Sequence, residues 1–187
     1  MARPARPLRA DAARNRTRVL EVAYDTFAGE GLSVPIDEIA RRAGVGAGTV
    51  YRHFPTKEAL FAAVIEDRMR HVVDEGRALL ESDGPGEALF AFLRSVVLQW
   101  GATDRGLVEA LAGFGVDFAS ASRAEDAFLA MLDELLRAAQ RAGTARPDIG
   151  VRELKTIMVG CQAMEAYNPE LAERVTDVVV DGLRAKP

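Results

Sequence analysis

Thr49, Tyr51, Arg52, His53 and Lys57 place hydrogen-bond donors within nine residues that contain no carboxylate. Donors of this kind suit anionic oxygens, above all phosphate, and an arginine can also meet the edge of a nucleic-acid base. Gly46, Ala47 and Gly48 come just before them, with side chains so small that the backbone there can approach a partner closely. Elsewhere the chemistry is thin. There are two histidines and one cysteine, no cluster with metal-ligand spacing and no recognisable nucleophile beside a base. His71 reads as a surface or interhelical histidine, and Cys161, on an apolar helical face, as an inert buried thiol. The sequence therefore reads as a binding protein, not an enzyme, and asks for no cofactor and no metal.

The donors need an element to carry them. Ile36, Ile39, Ala40 and Ala43 recur at helical spacing with Asp37, Glu38, Arg41 and Arg42 opposite, which predicts an amphipathic helix. Gly44 suits the left-handed residue that ends a helix, with Val45 plugging the turn. Over residues 47–54 only Val50 and Phe54 form an inward pair, so the second helix is about two turns long. Pro55 closes it, and Thr56 can cap the next. A phosphate-cradling glycine loop through Gly44, Gly46 and Gly48 would need a strand before it, and an amphipathic helix stands there instead.

The run IARRAGV followed by GTVYRHFPTKEAL resembles the signature of the tetracycline-repressor-like (TetR) family of transcriptional regulators. The resemblance implies a helix-turn-helix in which Thr49, Tyr51, His53 and Lys57 touch the DNA backbone while Ala47 and Gly48 lie near bases. Pro35 departs from the family, which often has Thr or Ser there, and Gly46 and Ala47 stand where a polar residue is common. Base reading is then left to apolar contact, to Arg52 or to DNA shape. The whole set expected at DNA is Arg14, Arg16, Thr17, Arg42, Gly46, Ala47, Gly48, Thr49, Tyr51, Arg52, His53 and Lys57.

Length and composition allow one or two soluble globular domains: 187 residues, 49% hydrophobic and 28% charged. The net charge of −4 is unevenly spread. Residues 1–70 hold 12 Lys/Arg against 9 Asp/Glu, and residues 71–187 hold 12 against 19, so the basic balance lies with the donors. No run approaches the roughly 18 apolar residues of a membrane span, and no apolar stretch follows the arginine-rich start, so no membrane partner and a cytoplasmic location are expected. A single cysteine agrees with a reducing compartment.

The expected architecture is all-α with about nine helices. Residues 1–10 are a basic disordered arm, residues 11–56 a three-helix DNA-binding domain, and residues 57–187 a helical ligand-binding and dimerisation bundle. A helix of about six turns opens that bundle from Lys57, and residues 82–86 form a loop. Further helices cover residues 87–102, 104–112 and 122–141 with a Ser122/Glu125 capping box, then, after a turn at residues 146–150, one carrying Leu154, Ile157, Met158, Cys161 and Met164 and one after Asn168 and Pro169.

The resemblance further implies a homodimer on a palindromic operator in double-stranded DNA, joined through the last two helices at Leu154, Ile157, Leu171, Val175, Val178, Val179 and Leu183. It also implies a small-molecule effector that relieves repression. An apolar or aromatic effector matches the pocket candidates Phe90, Leu93, Trp100, Leu107, Phe114, Phe118, Phe128, Met131, Met158, Cys161 and Met164, although residues of these types at helical spacing also build plain core. A helical small-molecule-binding module with only non-specific DNA affinity remains the alternative.

Overall fold

The spacing in residues 36–54 is realised as two short helices in a computed structural model of the chain, which describes residues 6–100 and 118–186, the side chains of 6–10, 99, 100, 118–122 and 166 excepted. Eight α-helices are present among these residues: α1 (Arg6–Glu30), α2 (Ile36–Ala43), α3 (Ala47–His53), α4 (Lys57–Ser82), α5 (Gly84–Ser95), α6 (Phe118–Arg141), α7 (Val151–Tyr167) and α8 (Ala172–Leu183). A π-helical turn, Val96–Trp100, continues α5, and a 3-10 turn, Pro169–Leu171, precedes α8. The extended pairing among them is a single antiparallel bridge between Ala145 and Arg184. The helix expected over residues 104–112 falls outside the described residues.

The chain divides into two compact units, the first running to Asp67 and the second starting at Arg68, with residues 118–121 grouped with the first. In the first unit Leu20, Ala23 and Phe27 of α1 meet Ile36, Ile39, Ala40 and Ala43 of α2, Val50 of α3, Phe54, and Leu60, Phe61 and Val64 of α4. Phe27 and Phe61 pack edge to face with ring centroids 5.7 Å apart. The turn between α2 and α3 is a Schellman motif: Gly44 has φ 66°, its N–H donates to the Arg41 carbonyl at 3.2 Å, and the Val45 N–H donates to Ala40 at 3.0 Å. Pro35 provides no side-chain cap to α2, but its carbonyl accepts from Glu38 and Ile39.

An ion network ties α2 to α1. Arg42 donates to Glu30 and Glu38, Arg41 donates to Glu38 through two nitrogens at 2.7 Å, and Arg42 also reaches Thr26 Oγ1 at 3.5 Å. The two guanidiniums, Arg41 first and then Arg42, hold the Glu38 carboxyl down to about 2, and Arg42 lowers that of Glu30.

The second unit is built on Leu89, Phe90, Phe92 and Leu93 of α5, Leu132, Leu135 and Leu136 of α6, Leu154 and Met158 of α7, and Val180 and Leu183 of α8. A Cβ added at Gly76, inside α4, would overlap the Met131 thioether. The end of the described chain acts as a strap. Ala185 N–H donates to Thr144 at 2.8 Å, Arg146 N–H donates to Leu183 at 3.0 Å, and the Arg184 guanidinium lies 4.1 Å from the Phe90 ring centroid while pairing with Glu87.

Four boundaries differ from expectation. Helix α1 starts at Arg6, inside the arm expected over residues 1–10, because Pro7 sits in the first turn, where a missing N–H costs no hydrogen bond. The loop expected over residues 82–86 shrinks: Gly84 takes a left-handed φ of 75° and Pro85 occupies the first turn of α5. The start expected at Ser122 moves: α6 begins four residues earlier at Phe118, so Ser122 stands inside the helix and not at its N-cap; Glu125 pairs with Lys155 of α7. Asn168 makes no side-chain cap, and the chain passes through the 3-10 turn before α8 begins.

Two outcomes are expected. Alanine in place of glycine ordinarily strengthens a helix interior, but Gly76→Ala drives a methyl into Met131 and should lower stability by about 1 kcal/mol; chemical denaturation checks this, and a more stable variant would refute the packing. The Glu38 contribution, with a folded value below the usual 4.5, is present above about 4.5 and is lost as pH falls toward 2. In Arg42→Ala one of the two cations is gone, and the Glu38 titration followed by carbonyl-carbon NMR should move upward.

Candidate nucleic-acid interface

Seven residues form α3, and only its inward side is committed to packing: Val50 is 1% exposed and Phe54, just after the helix, 3%. The Gly46 carbonyl accepts from the Thr49 N–H at 2.8 Å and from Val50 at 3.3 Å, so the backbone itself opens the helix. Ala47 and Thr49 are half-buried, whereas Gly48, Tyr51, Arg52 and His53 face outward, Tyr51 at 44% exposure. A Cβ added at Gly48 would meet nothing within 4 Å, and one at Gly46 only Thr49 Oγ1 at 3.9 Å. Neither glycine has a positive φ. Gly46 is the N-cap of α3, a position that glycine suits; at Gly48 packing and backbone strain give no reason for glycine, although glycine inside a helix is unfavourable by up to about 1 kcal/mol relative to alanine.

Thr56 Oγ1 accepts from the Ala59 N–H at 3.1 Å and starts α4 with Lys57 half-buried in its first turn. Lys57 thus stands four residues beyond the end of α3. On α1, Arg14 is exposed and pairs with Asp11, and the Thr17 hydroxyl donates to the Ala13 carbonyl at 3.2 Å. The Arg16 guanidinium lies 5.6 Å from the Phe54 ring centroid, which places a cation at the C-terminal end of α3.

Of the expected DNA residues, Arg14, Arg16 and Thr17 lie on α1. Gly46, Gly48, Tyr51, Arg52 and His53 are brought together on the outer face of α2–α3, with Ala47, Thr49 and Lys57 half-buried at its margin. Arg42, also expected at DNA, has its guanidinium held by Glu30 and Glu38, which ties α2 to α1.

In the second unit, Phe90, Leu93, Phe128, Met131, Met158 and Cys161 are all buried, at 5% exposure or less. Burial raises the Cys161 thiol above its usual range. Met164 differs, facing outward at 42%. The Trp100 and Phe118 side chains, and Leu107 and Phe114 altogether, lie outside the described residues.

Of the residues expected at a dimer interface, Leu154 and Leu183 are core, at 0% and 3% exposure, and Ile157 and Val179 pack partly against that core. Leu171 and Val178 face outward, at 47% and 67%, and Val175 is half-buried. The outward face also carries Val159, Met164 and Tyr167, the last 92% exposed. Sequence reasoning missed Val159 and Tyr167, although their eight-residue spacing along α7 was visible.

Among the described residues no group of histidine, cysteine and acidic side chains could hold a metal, and no helix is long and apolar enough to cross a membrane.

Comparison with known proteins agrees with this arrangement. Residues 19–64 match the family described as bacterial regulatory proteins, tetR family, and residues 84–185 match the SbtR-like transcriptional regulator C-terminal domain. An HTH-type transcriptional regulator of Staphylococcus aureus is 42% identical over 60 residues, a match covering 32% of this chain and 32% of that protein. Two solved structures match over nearly their whole length. The TetR transcription regulatory protein from Mycobacterium vanbaalenii is 62% identical, with 96% of this chain and 100% of that one covered at a TM-score of 0.83. A TetR transcriptional regulator from Streptomyces coelicolor is 32% identical, with 92% and 99% covered at 0.78. With a three-helix head of the right geometry and both family domains matched in order, the chain belongs to the TetR family of DNA-binding transcriptional regulators.

Proposed function

We propose that the chain is a homodimeric repressor that places α3 of each copy in successive major grooves of a palindromic operator and is released by a small apolar or aromatic effector. The observation that carries the DNA-reading part is Gly48: a helical glycine on an exposed face, with nothing within 4 Å of its missing side chain. Such a position is understandable where a backbone approaches base edges, and Tyr51, Arg52, His53 and Lys57 surround it with donors to phosphate and base.

The exposed apolar side chains Val159, Met164, Tyr167, Leu171 and Val178 support pairing of two copies through α7 and α8. A two-fold axis there would set the separation of the two α3 helices, and only a matching operator half-site spacing would be bound well. The apolar and sulfur-bearing interior around Phe90, Leu93, Phe128, Met131, Met158 and Cys161 supports an apolar effector class. An effector acts only if it prefers the conformer with the wrong spacing.

Selection of binding sites from random duplexes at near-physiological salt is expected to enrich a palindrome. Gly48→Leu should melt no lower than the parent yet bind the enriched site at least about tenfold more weakly. Equal affinity would remove α3 from the groove, and failure to enrich any sequence would favour a module with non-specific DNA affinity. Val178→Asp should convert the dimer to a folded monomer in sedimentation, since Val178 is 67% exposed and contributes little to the fold; a persistent dimer would place the interface elsewhere.

A further inference from the structure

We propose that Arg52 is the base-reading side chain of α3 and that it selects a guanine in each half-site of the operator, across the gap left by Gly48. The assignment rests on the proposed function and adds to it the identity of one base and the group that reads it.

Gly48 and Arg52 are four residues apart and both are exposed, so they share one face of the helix. Side chains on a helix lean toward its N-terminus, which sends the Arg52 stem back over the turn containing Gly48. With no Cβ at Gly48 and nothing within 4 Å of that position, the guanidinium has an open path along the helix surface.

The neighbouring arginines are otherwise engaged. Arg41 and Arg42 are held by Glu38 and Glu30, Arg14 by Asp11, and Arg16 lies against Phe54. Arg52 has no carboxylate partner among the described residues, and no acidic residue lies on α3. Residues 46–48 carry at most a methyl group, so none of them can hydrogen-bond a base edge through a side chain. A planar fork of donors, unneutralised and on the groove face, matches the O6 and N7 acceptors of guanine.

The test compares site selections from random duplexes by the wild-type protein, Arg52→Ala and Arg52→Lys, with thermal melts to establish that all three fold alike. The wild type is expected to enrich a palindrome with a guanine at one fixed position per half-site. Arg52→Ala should lose the preference at that position while keeping the rest of the palindrome, with affinity for the wild-type site falling roughly 10- to 100-fold. Arg52→Lys keeps the charge without the fork, so it should bind more tightly than Arg52→Ala yet show no preference for that guanine.

A wild-type protein that enriches no palindrome would overturn the proposed function and this assignment together. An enriched palindrome whose base preferences are unchanged in Arg52→Ala would overturn the assignment alone. An Arg52→Lys variant with the full guanine preference would do the same, because a phosphate contact would then account for Arg52.

Discussion

A helix of two turns does not persist in water by itself, because the cost of nucleation is not recovered over so few residues. Helix α3 is that short, and the rest of the first unit supplies what it lacks. Val50 and Phe54 fix its inner side in the core formed by α1, α2 and the start of α4. The left-handed Gly44 fixes the direction in which it leaves α2, and Pro55 with the Thr56 cap fixes where it stops. Since its folding is borrowed, the outer face is free of structural duties. That freedom is why small residues, a phenol, a guanidinium and an imidazole can occupy it without loss of the fold.

The electrostatics follow the same division. The chain is acidic overall, and even within the first unit carboxylates are abundant. Glu30 and Glu38 are spent on Arg41 and Arg42, where they lock α2 to α1 instead of opposing an anion. Exposed ion pairs of this sort add little to stability, so positioning is their main effect. What remains outward on α3 is cationic or neutral. A count of formal charges along the chain sees the arginines but not which of them are already satisfied.

Much of this was legible in the sequence because local rules were decisive. The Gly44 stop, the Val50 and Phe54 pair and the proline after α3 each follow from one or two residues. The failures have a common origin in permissive signals. Ser122 and Glu125 allow a helix to start but do not prevent an earlier start, and Gly84-Pro85-Gly86 fits a helical first turn as well as a loop. In α7 and α8 both faces are apolar, so periodicity grouped residues by face without saying which face was inward. Leu154 and Leu183 turned out to be core, and Val159 and Tyr167 to be surface. Arg42 could not be assigned because its partner Glu30 lies 12 residues away on another helix.

The strap at the end of the second unit has a consequence for the order in which the chain is assembled. Arg184 joins Glu87 across 97 residues, and Arg94 joins Asp177 across 83, so this unit closes only when its last helix is present. The cluster of the first unit, from Val19 to Val64, joins residues much nearer one another in the chain. Contacts between distant residues form more slowly than local ones, and synthesis delivers the N-terminal residues first. On the ribosome the head is therefore complete while the bundle still lacks its closing segment. During that interval the apolar face of α5 lacks the cover that Val180 and Leu183 of α8 supply.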